Sequence, residues 1–585
     1  MKTLLIILFI IHLIHGLGTW KLYSKAGYKL WEAFIPVYSI IILLKIINRS
    51  RWWIILLTLP VINAIMIPVL WVELSRSFGK NTYLDTFLSI VSLGFYNYYL
   101  NYFSEVEYVA NRDINPKSSN GEWTSSLIFA IVAATIIHTY FIQPYTIPTS
   151  SLEKTLLVGD FLFVSKVNYG ARIPMTTIAA PMVHDTLPFI KKKSYLNKNQ
   201  IPYITELPYL RFPGFEKIKN NDIVVFNWPV DTMVNMYYTD KNYYKPIDKK
   251  TNYVKRAVGI AGDTLEVING YVYINGEKNI LPDEAKLQFS YLVQPKRNRF
   301  SKRVMINNYD ITDAFGIINK NNTYKFMGIS DNSMNKFKFH PNVEWIAKDT
   351  LPKGYRDSTV FPQSENYEWN NDFFGPIYIP KKGETIEINN NNIHLYKRLI
   401  DVYENNDLLI KGDKVFVNNK ETSKYTFKQN YYWLMGDNRS NSQDSRSWGF
   451  VPFDHVVGKP VFKWFSWDSN AKGLSKIRWN RLFTSISGTG GPINLFFGFI
   501  SILIIFWLLS IDYSSINNSK KFWNKNIITV DYASRYLRVI CFLIWPVGIF
   551  IYITQKNKFP KKAKSALNSG LAGIIASILL SLLTG

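Results

Sequence analysis

Ile147-Pro148-Thr149-Ser150-Ser151-Leu152-Glu153-Lys154-Thr155-Leu156-Leu157-Val158-Gly159-Asp160 comes directly after an apolar segment, Leu127 to Ile142, of about membrane-spanning length. The order places hydroxyls at a bilayer surface, where a nucleophile would meet what the membrane presents. Beyond it, from Gln143 to about Arg481, the chain changes character. Short apolar runs such as Phe161-Leu162-Phe163-Val164, Ile223-Val224-Val225-Phe226 and Thr264-Leu265-Glu266-Val267-Ile268 are bounded by turn signals, Asn269-Gly270 and Asn275-Gly276 among them. The expected fold is a mainly β domain with α-helical transmembrane segments at both ends.

At 585 residues the chain is too long for one ordinary core. Residues 1–122 read as an N-terminal multi-span membrane region and linker, 123–142 as a transmembrane anchor, 143–481 as the β-rich domain, and 482–585 as a C-terminal membrane region. The N-terminal region holds Leu4 to Leu17, which reads as an uncleaved anchor, then Phe34 to Ile47, Trp52 to Val72 and Leu84 to Phe103. Pro36, Pro60 and Pro68 make kinked or re-entrant helices as plausible as clean crossings. The C-terminal region holds Leu495 to Ile511, Ile540 to Ile553 and Leu571 to Leu583. Within the β-rich domain, about 277–375 is rich in Asn, Lys and Tyr, carries no motif, and reads as an insertion.

Composition excludes several chemistries. The one cysteine, Cys541, lies in an apolar run, so no intramolecular disulfide forms and thiol catalysis is disfavoured. The seven histidines show no HExxH spacing, and no CxxC occurs, so no metal site is expected. The net charge of +25 is spread among Asn, Tyr and Glu without a compact basic arm, which argues against nucleic acid.

A hydroxyl is a poor nucleophile until a base takes its proton. No histidine lies near Ser151 in sequence. Tyr253-Val254-Lys255-Arg256-Ala257-Val258-Gly259 instead offers a lysine within an apolar, strand-like run, and burial there lowers an amine's pKa because the charged form loses hydration. A third segment, Gly436-Asp437-Asn438-Arg439-Ser440-Asn441-Ser442-Gln443-Asp444-Ser445-Arg446-Ser447-Trp448-Gly449, is too polar for ordinary core and suits a loop that braces a site.

These segments, with Asn221-Asp222-Ile223-Val224-Val225-Phe226 as a fourth, resemble bacterial type I signal peptidases, membrane-anchored peptidases that use a serine and a lysine. The resemblance covers the motifs between Gln143 and Trp464, not the insertion. It implies a signal-peptidase-like β fold and a serine endopeptidase that removes N-terminal signal peptides after small residues. Ser151 would be the nucleophile and Lys255 its general base. Thr149 and the Ser151 N–H would form the oxyanion hole, while Ser442 would hydrogen-bond the lysine and Asp444 and Arg446 would support the site. Ile147, Pro148, Leu152 and Val254 would line shallow substrate pockets. No metal or organic cofactor is implied. The implied partners are signal-peptide-bearing secretory precursors, the lipid bilayer and the export translocon. The implied location is the bacterial inner membrane, multi-pass, with the catalytic domain on the extracytoplasmic side. Ser150, Lys154, Asn221 and Ala261 depart from the usual pattern, and each bears on turn geometry.

Two other readings compete. Ser151-Leu152-Glu153-Lys154 is a formal SxxK tetrad, which in penicillin-binding proteins opens a helix and is joined by SDN and KTG motifs. Here Pro148 and strand-like flanks precede it and neither partner motif is suitably placed, so it ranks second. A catalytically inert membrane scaffold would fit the terminal spans and the insertion, but the chain retains every proposed catalytic group.

Overall fold

The computed structural model describes residues 2–115, 118–233, 243–297, 299–486, 493–496, 537–538, 540–541 and 544–584. Its centre is an antiparallel sheet assembled from segments far apart in the chain. The strands are β1 (Ile142–Thr146), β2 (Asp160–Ser165), β3 (Ile223–Asn227), β4 (Asn252–Gly259), β5 (Tyr431–Met435), β6 (Val451–Pro452), β7 (Val456–Ser466) and β8 (Thr484–Ser485). Their spatial order is β1-β2-β7-β3-β4-β5-β6, with β8 added on β7. Every residue of β3 is buried, as expected of a β-branched and aromatic run covered on both faces. Opposite it lies β4, with Val224 across from Lys255 and Val225 across from Val254.

The turn into β3 explains one departure from the family pattern. Asn221 adopts φ 72°, a conformation that asparagine tolerates better than most residues other than glycine. Asp222 then accepts the Lys219 N–H at 2.9 Å, closing the turn. Asn269 and Gly270 also have positive φ, 53° and 80°, and join the strands Thr264–Ile268 and Tyr271–Ile274 as a tight hairpin.

The motif-free stretch is well structured. Strands Gln288–Pro295, Tyr324–Ser330, Val343–Lys348 and Phe315–Ile317 form a second antiparallel sheet. Phe300, Phe326, Phe337 and Met305 fill its own core. Its inner edge touches the main domain, where the Gln288 N–H donates to the Asp437 carbonyl and the Arg439 N–H donates to the Gln288 carbonyl.

At the termini the structure departs from the expected set of spans. Among the described residues, one helix is long and apolar enough to cross a membrane, Ser119–Phe141. The N-terminal apolar runs are divided into shorter helices, including Lys2–Leu17, Tyr38–Ile46, Trp53–Thr58, Ile62–Ser77, Tyr83–Val91 and Tyr96–Tyr102. The breaks fall where Val37, Val61 and Leu93 take positive φ, which an α-helix cannot contain. Two of these residues follow Pro36 and Pro60, whereas Pro68 lies inside a helix. Glu73 ties the bundle by pairing with Arg49, Arg76 and Arg112. At the other end, Trp545–Gln555 packs against Pro560–Thr584, with Gly548 and Gly570 so close that an added Cβ would clash. The run Leu495 to Ile511 lies almost entirely outside the described residues.

Candidate active site

Ser151 sits in a short 3-10 turn, Ser150–Leu152, immediately after the extended Thr149. The turn is strapped from one side. Asn438 donates its backbone N–H to the Ser151 carbonyl at 3.1 Å and its side-chain amide to the Ser150 carbonyl at 3.2 Å. Asn441 donates to the Ser150 hydroxyl at 3.0 Å. With its backbone held, the Ser151 side chain has one strong polar neighbour, Lys255 Nζ at 2.5 Å.

Lys255 arrives from β4, in the middle of the sheet, and is 4% exposed. Its amine lies 5.7 Å from the Tyr253 ring, which stacks on Trp448. Burial lowers its pKa from 10.5 to about 8; the Asp444 carboxylate offsets part of that loss and Arg446 adds to it. At pH 7 roughly a tenth of the amine is then neutral, far more than for an exposed lysine, and a neutral amine can accept a proton.

The neighbouring residue supplies rigidity. The Arg256 guanidinium donates to both oxygens of Asp437 at 2.7 Å and to the Asn221 carbonyl at 2.8 Å. The Thr155 hydroxyl donates to the same carboxylate at 2.7 Å. Burial opposes the charge on Asp437, but Arg256 outweighs it and holds the carboxyl below its usual range. Thus the Ser151 segment, the β3 turn, β4 and the polar loop are joined through one ion pair. Sequence reading passed over Arg256, Asp437 and Asn438; their inclusion in the motif segments was the available signal.

Asp444 and Arg446 form a second buried pair at 2.8 Å. Asp444 also accepts the Gly436 N–H, while Arg446 reaches the Arg439 carbonyl at 2.7 Å. Ser442 differs from expectation. Its Oγ is buried and has no hydrogen-bond partner, so the expected bond to the lysine is not formed. It packs closely over Gly436, and Lys255 points to Ser151 instead.

Of the other expected residues, Thr149 and Pro148 are exposed beside Ser151. Ile147 and Leu152 are buried and share an apolar cluster with Leu156, Leu162 and Ile223, against which Val254 packs. Ile486 completes that cluster from the segment after β8, held by its N–H donating to the Val461 carbonyl at 2.9 Å. Nothing near it in sequence marks it, because the contact depends on pairing between β8 and β7.

The SxxK alternative meets an obstacle in the backbone. Lys154 takes φ 72°, and its amine pairs with Asp310 at 2.7 Å. It is also within 3.3 Å of the Thr312 hydroxyl. Among the described residues, no group of three or more His, Cys, Asp or Glu is placed to hold a metal ion.

A hydroxyl beside a desolvated amine on an antiparallel β scaffold is an arrangement that a serine peptidase of the serine–lysine kind requires. Comparison with known proteins then gives the family. The model of "Signal peptidase, peptidase S26" matches residues 120–334 and 379–467, and the chain belongs to that family. The gap in the match, residues 335–378, overlaps the C-terminal part of the expected insertion and covers less than half of it. Residues 31–111 match a family of unknown function, DUF5684. Among curated relatives, Signal peptidase I of Helicobacter pylori is 25% identical over 378 residues, 62% of this chain and 92% of that protein. Signal peptidase I of Buchnera aphidicola is 23% identical over 354 residues, 60% and 77% of the two chains. That of Rickettsia massiliae is 23% identical over 391 residues, 64% and 95%.

Proposed function

We propose that this chain is a membrane-bound signal peptidase that cleaves N-terminal signal peptides from exported precursors, with Ser151 as nucleophile and Lys255 as general base. The observation that carries the reading is the 2.5 Å approach of a buried lysine amine to the Ser151 hydroxyl. The neutral amine takes the hydroxyl proton as Oγ bonds to the carbonyl carbon of the small residue that ends the signal peptide. The Thr149 hydroxyl and the Ser151 N–H receive the developing oxyanion; such a donor contributes about 3–4 kcal/mol to lowering the barrier. The C–N bond then breaks, and the ammonium of Lys255 gives its proton to the departing amine of the mature chain. Water, deprotonated by the same amine, attacks the acyl carbon; the C–Oγ bond breaks, the ammonium of Lys255 returns a proton to Ser151 Oγ, and the signal peptide leaves as its carboxylate.

The buried cluster of Ile147, Leu152, Leu156 and Leu162 underlies exposed Pro148 and Thr149 and supports a shallow apolar subsite beside Ser151, which would select mainly by size. The helix Ser119–Phe141 runs into β1 and supports placement of the catalytic domain, residues 143–481, at the extracytoplasmic membrane surface of a bacterial inner membrane. Tethering there raises the effective concentration of a substrate that is itself delivered in the bilayer. The export translocon that supplies the precursors belongs to the same proposal.

Mass spectrometry of a secretory precursor incubated with wild type, Ser151→Ala and Lys255→Ala tests activity, cleavage position and base identity together. Cleavage after a small residue by wild type alone is expected. Cleavage retained by Lys255→Ala and lost with Lys154→Ala would overturn the base assignment.

A further inference from the structure

A cavity of about 140 Å³ lies away from Ser151, between the end of the apolar helix and the β domain. On the helix side it is bounded by His138 and Thr139, in the last turn before β1. On the domain side stand Lys166, Arg172 and Lys249, with Asp248 as the carboxylate in the lining. Three cations therefore face one anion, and that anion is already engaged. Asp248 accepts the Met175 and Thr176 N–H groups at 2.9 Å and the Thr176 hydroxyl at 2.7 Å.

The cations have mostly neutral partners. Arg172 donates to the Asp454 carbonyl and the Asn227 side-chain carbonyl at 2.7 Å, and Lys249 donates to the Val183 carbonyl at 3.3 Å. Among the described residues no carboxylate pairs with Lys166. Two further acids lie near: Asp185 is paired with Lys193 at 2.6 Å, while Asp454 is hydrogen-bonded to His455, a histidine that burial keeps neutral, so its charge offsets Arg172 and leaves Lys166 as the cation without an anion. Burial, reinforced by Arg172 and Arg211, lowers the Lys166 pKa to about 7. Lys249 is buried and Lys166 and Arg172 are half-buried, and cations partly removed from water on one cavity are costly without an anion to offset them.

The position of the cavity narrows the anion. A helix that crosses a bilayer ends at the level of the headgroups. Exposed Phe141 marks that level on the helix, and Phe212, half exposed, meets Tyr140 edge-on there from the domain. Phosphate is the anion found at that depth, and it suits three converging N–H donors.

We propose that this cavity binds a phosphate group, supplied by the headgroup of an anionic phospholipid, and that Lys166 is its principal ligand. The site is independent of the peptidase reading, because none of its residues belongs to the Ser151–Lys255 constellation. Anionic lipid bound here would fix the β domain against the bilayer at the foot of its anchor.

Native mass spectrometry of the full-length protein in detergent, with added dioleoylphosphatidylglycerol or dioleoylphosphatidylcholine, tests the site. Wild type should retain one phosphatidylglycerol in preference to phosphatidylcholine. Lys166→Gln should retain it at least about fivefold more weakly, and Lys166→Arg should restore it. Equal retention of the two lipids, with no thermal stabilisation by inorganic phosphate, overturns the proposal. So does Lys166→Gln binding like wild type while melting at the wild-type temperature. If inorganic phosphate stabilises wild type but not Lys166→Gln, without preference for phosphatidylglycerol, the phosphate site stands and its lipid source falls.

Discussion

Lys245 and Lys255 lie in the same domain and are equally hidden, yet their surroundings differ. Lys245 meets Asp231 at 3.0 Å, and that carboxylate also takes the N–H and hydroxyl of Thr251, both at 2.8 Å. Lys255 meets a serine hydroxyl, and the acid nearest in influence, Asp444, is held by Arg446. A buried ammonium with a carboxylate partner is a structural brace. A buried ammonium without one sheds its proton more readily and, where a hydroxyl lies against it, can serve as a base. Residue type and burial alone do not separate the two roles; the partner does.

The sharpest way to test the contrast is to remove each lysine. Lys255→Met and Ser151→Ala are each expected to lower precursor cleavage by about 10⁴-fold or more, as when an acid–base unit is broken. The melting temperature of Lys255→Met should hold or rise, because no buried carboxylate is left unpaired. Lys245→Met should do the opposite. It strands Asp231, costing about 3–5 kcal/mol in a denaturant titration, while the folded fraction cleaves normally.

A pH profile sharpens the same point. The active form is the neutral amine, so kcat/KM should rise about tenfold per pH unit below about 8 and level off above it. In Lys245→Met that inflection should stay in place. Ile486→Ala should then relax selection at the cleavage position by roughly tenfold, measured as kcat/KM for valine- against alanine-ending signals. The smallest effect is expected from Lys154→Ala. Its partner Asp310 is 73% exposed, so activity should change by no more than about threefold.

Much of the domain was legible in the sequence because its signals are local. Alternating apolar runs and Asn-Gly turns mark the strands and the hairpin at Asn269-Gly270, and the motif segments all converge on Ser151. The remainder depends on long-range contacts. Arg256 looks like any strand arginine until Asp437 is brought opposite it, and Ile486 enters the apolar cluster only through the pairing of β8 with β7. The stretch 277–375 carries no motif because its sequence encodes a separate aromatic core built around Phe300, Phe326 and Phe337. At the N-terminus, hydrophobicity suggested long spans, but positive φ at Val37, Val61 and Leu93 divides the runs; only the prolines beside two of them hinted at this.

The paired backbone bonds at Gln288 have a bearing on attempts to trim the protein. Asp437 and Arg439, which flank the asparagine clasping the Ser151 turn, complete their main-chain pairing on the accessory sheet. A shortened version lacking that sheet would expose the Asp437 carbonyl and Arg439 amide and loosen the clasp. An embellishment by sequence has thus become a splint for the Ser151 turn, and simplifying the protein would require a substitute for it.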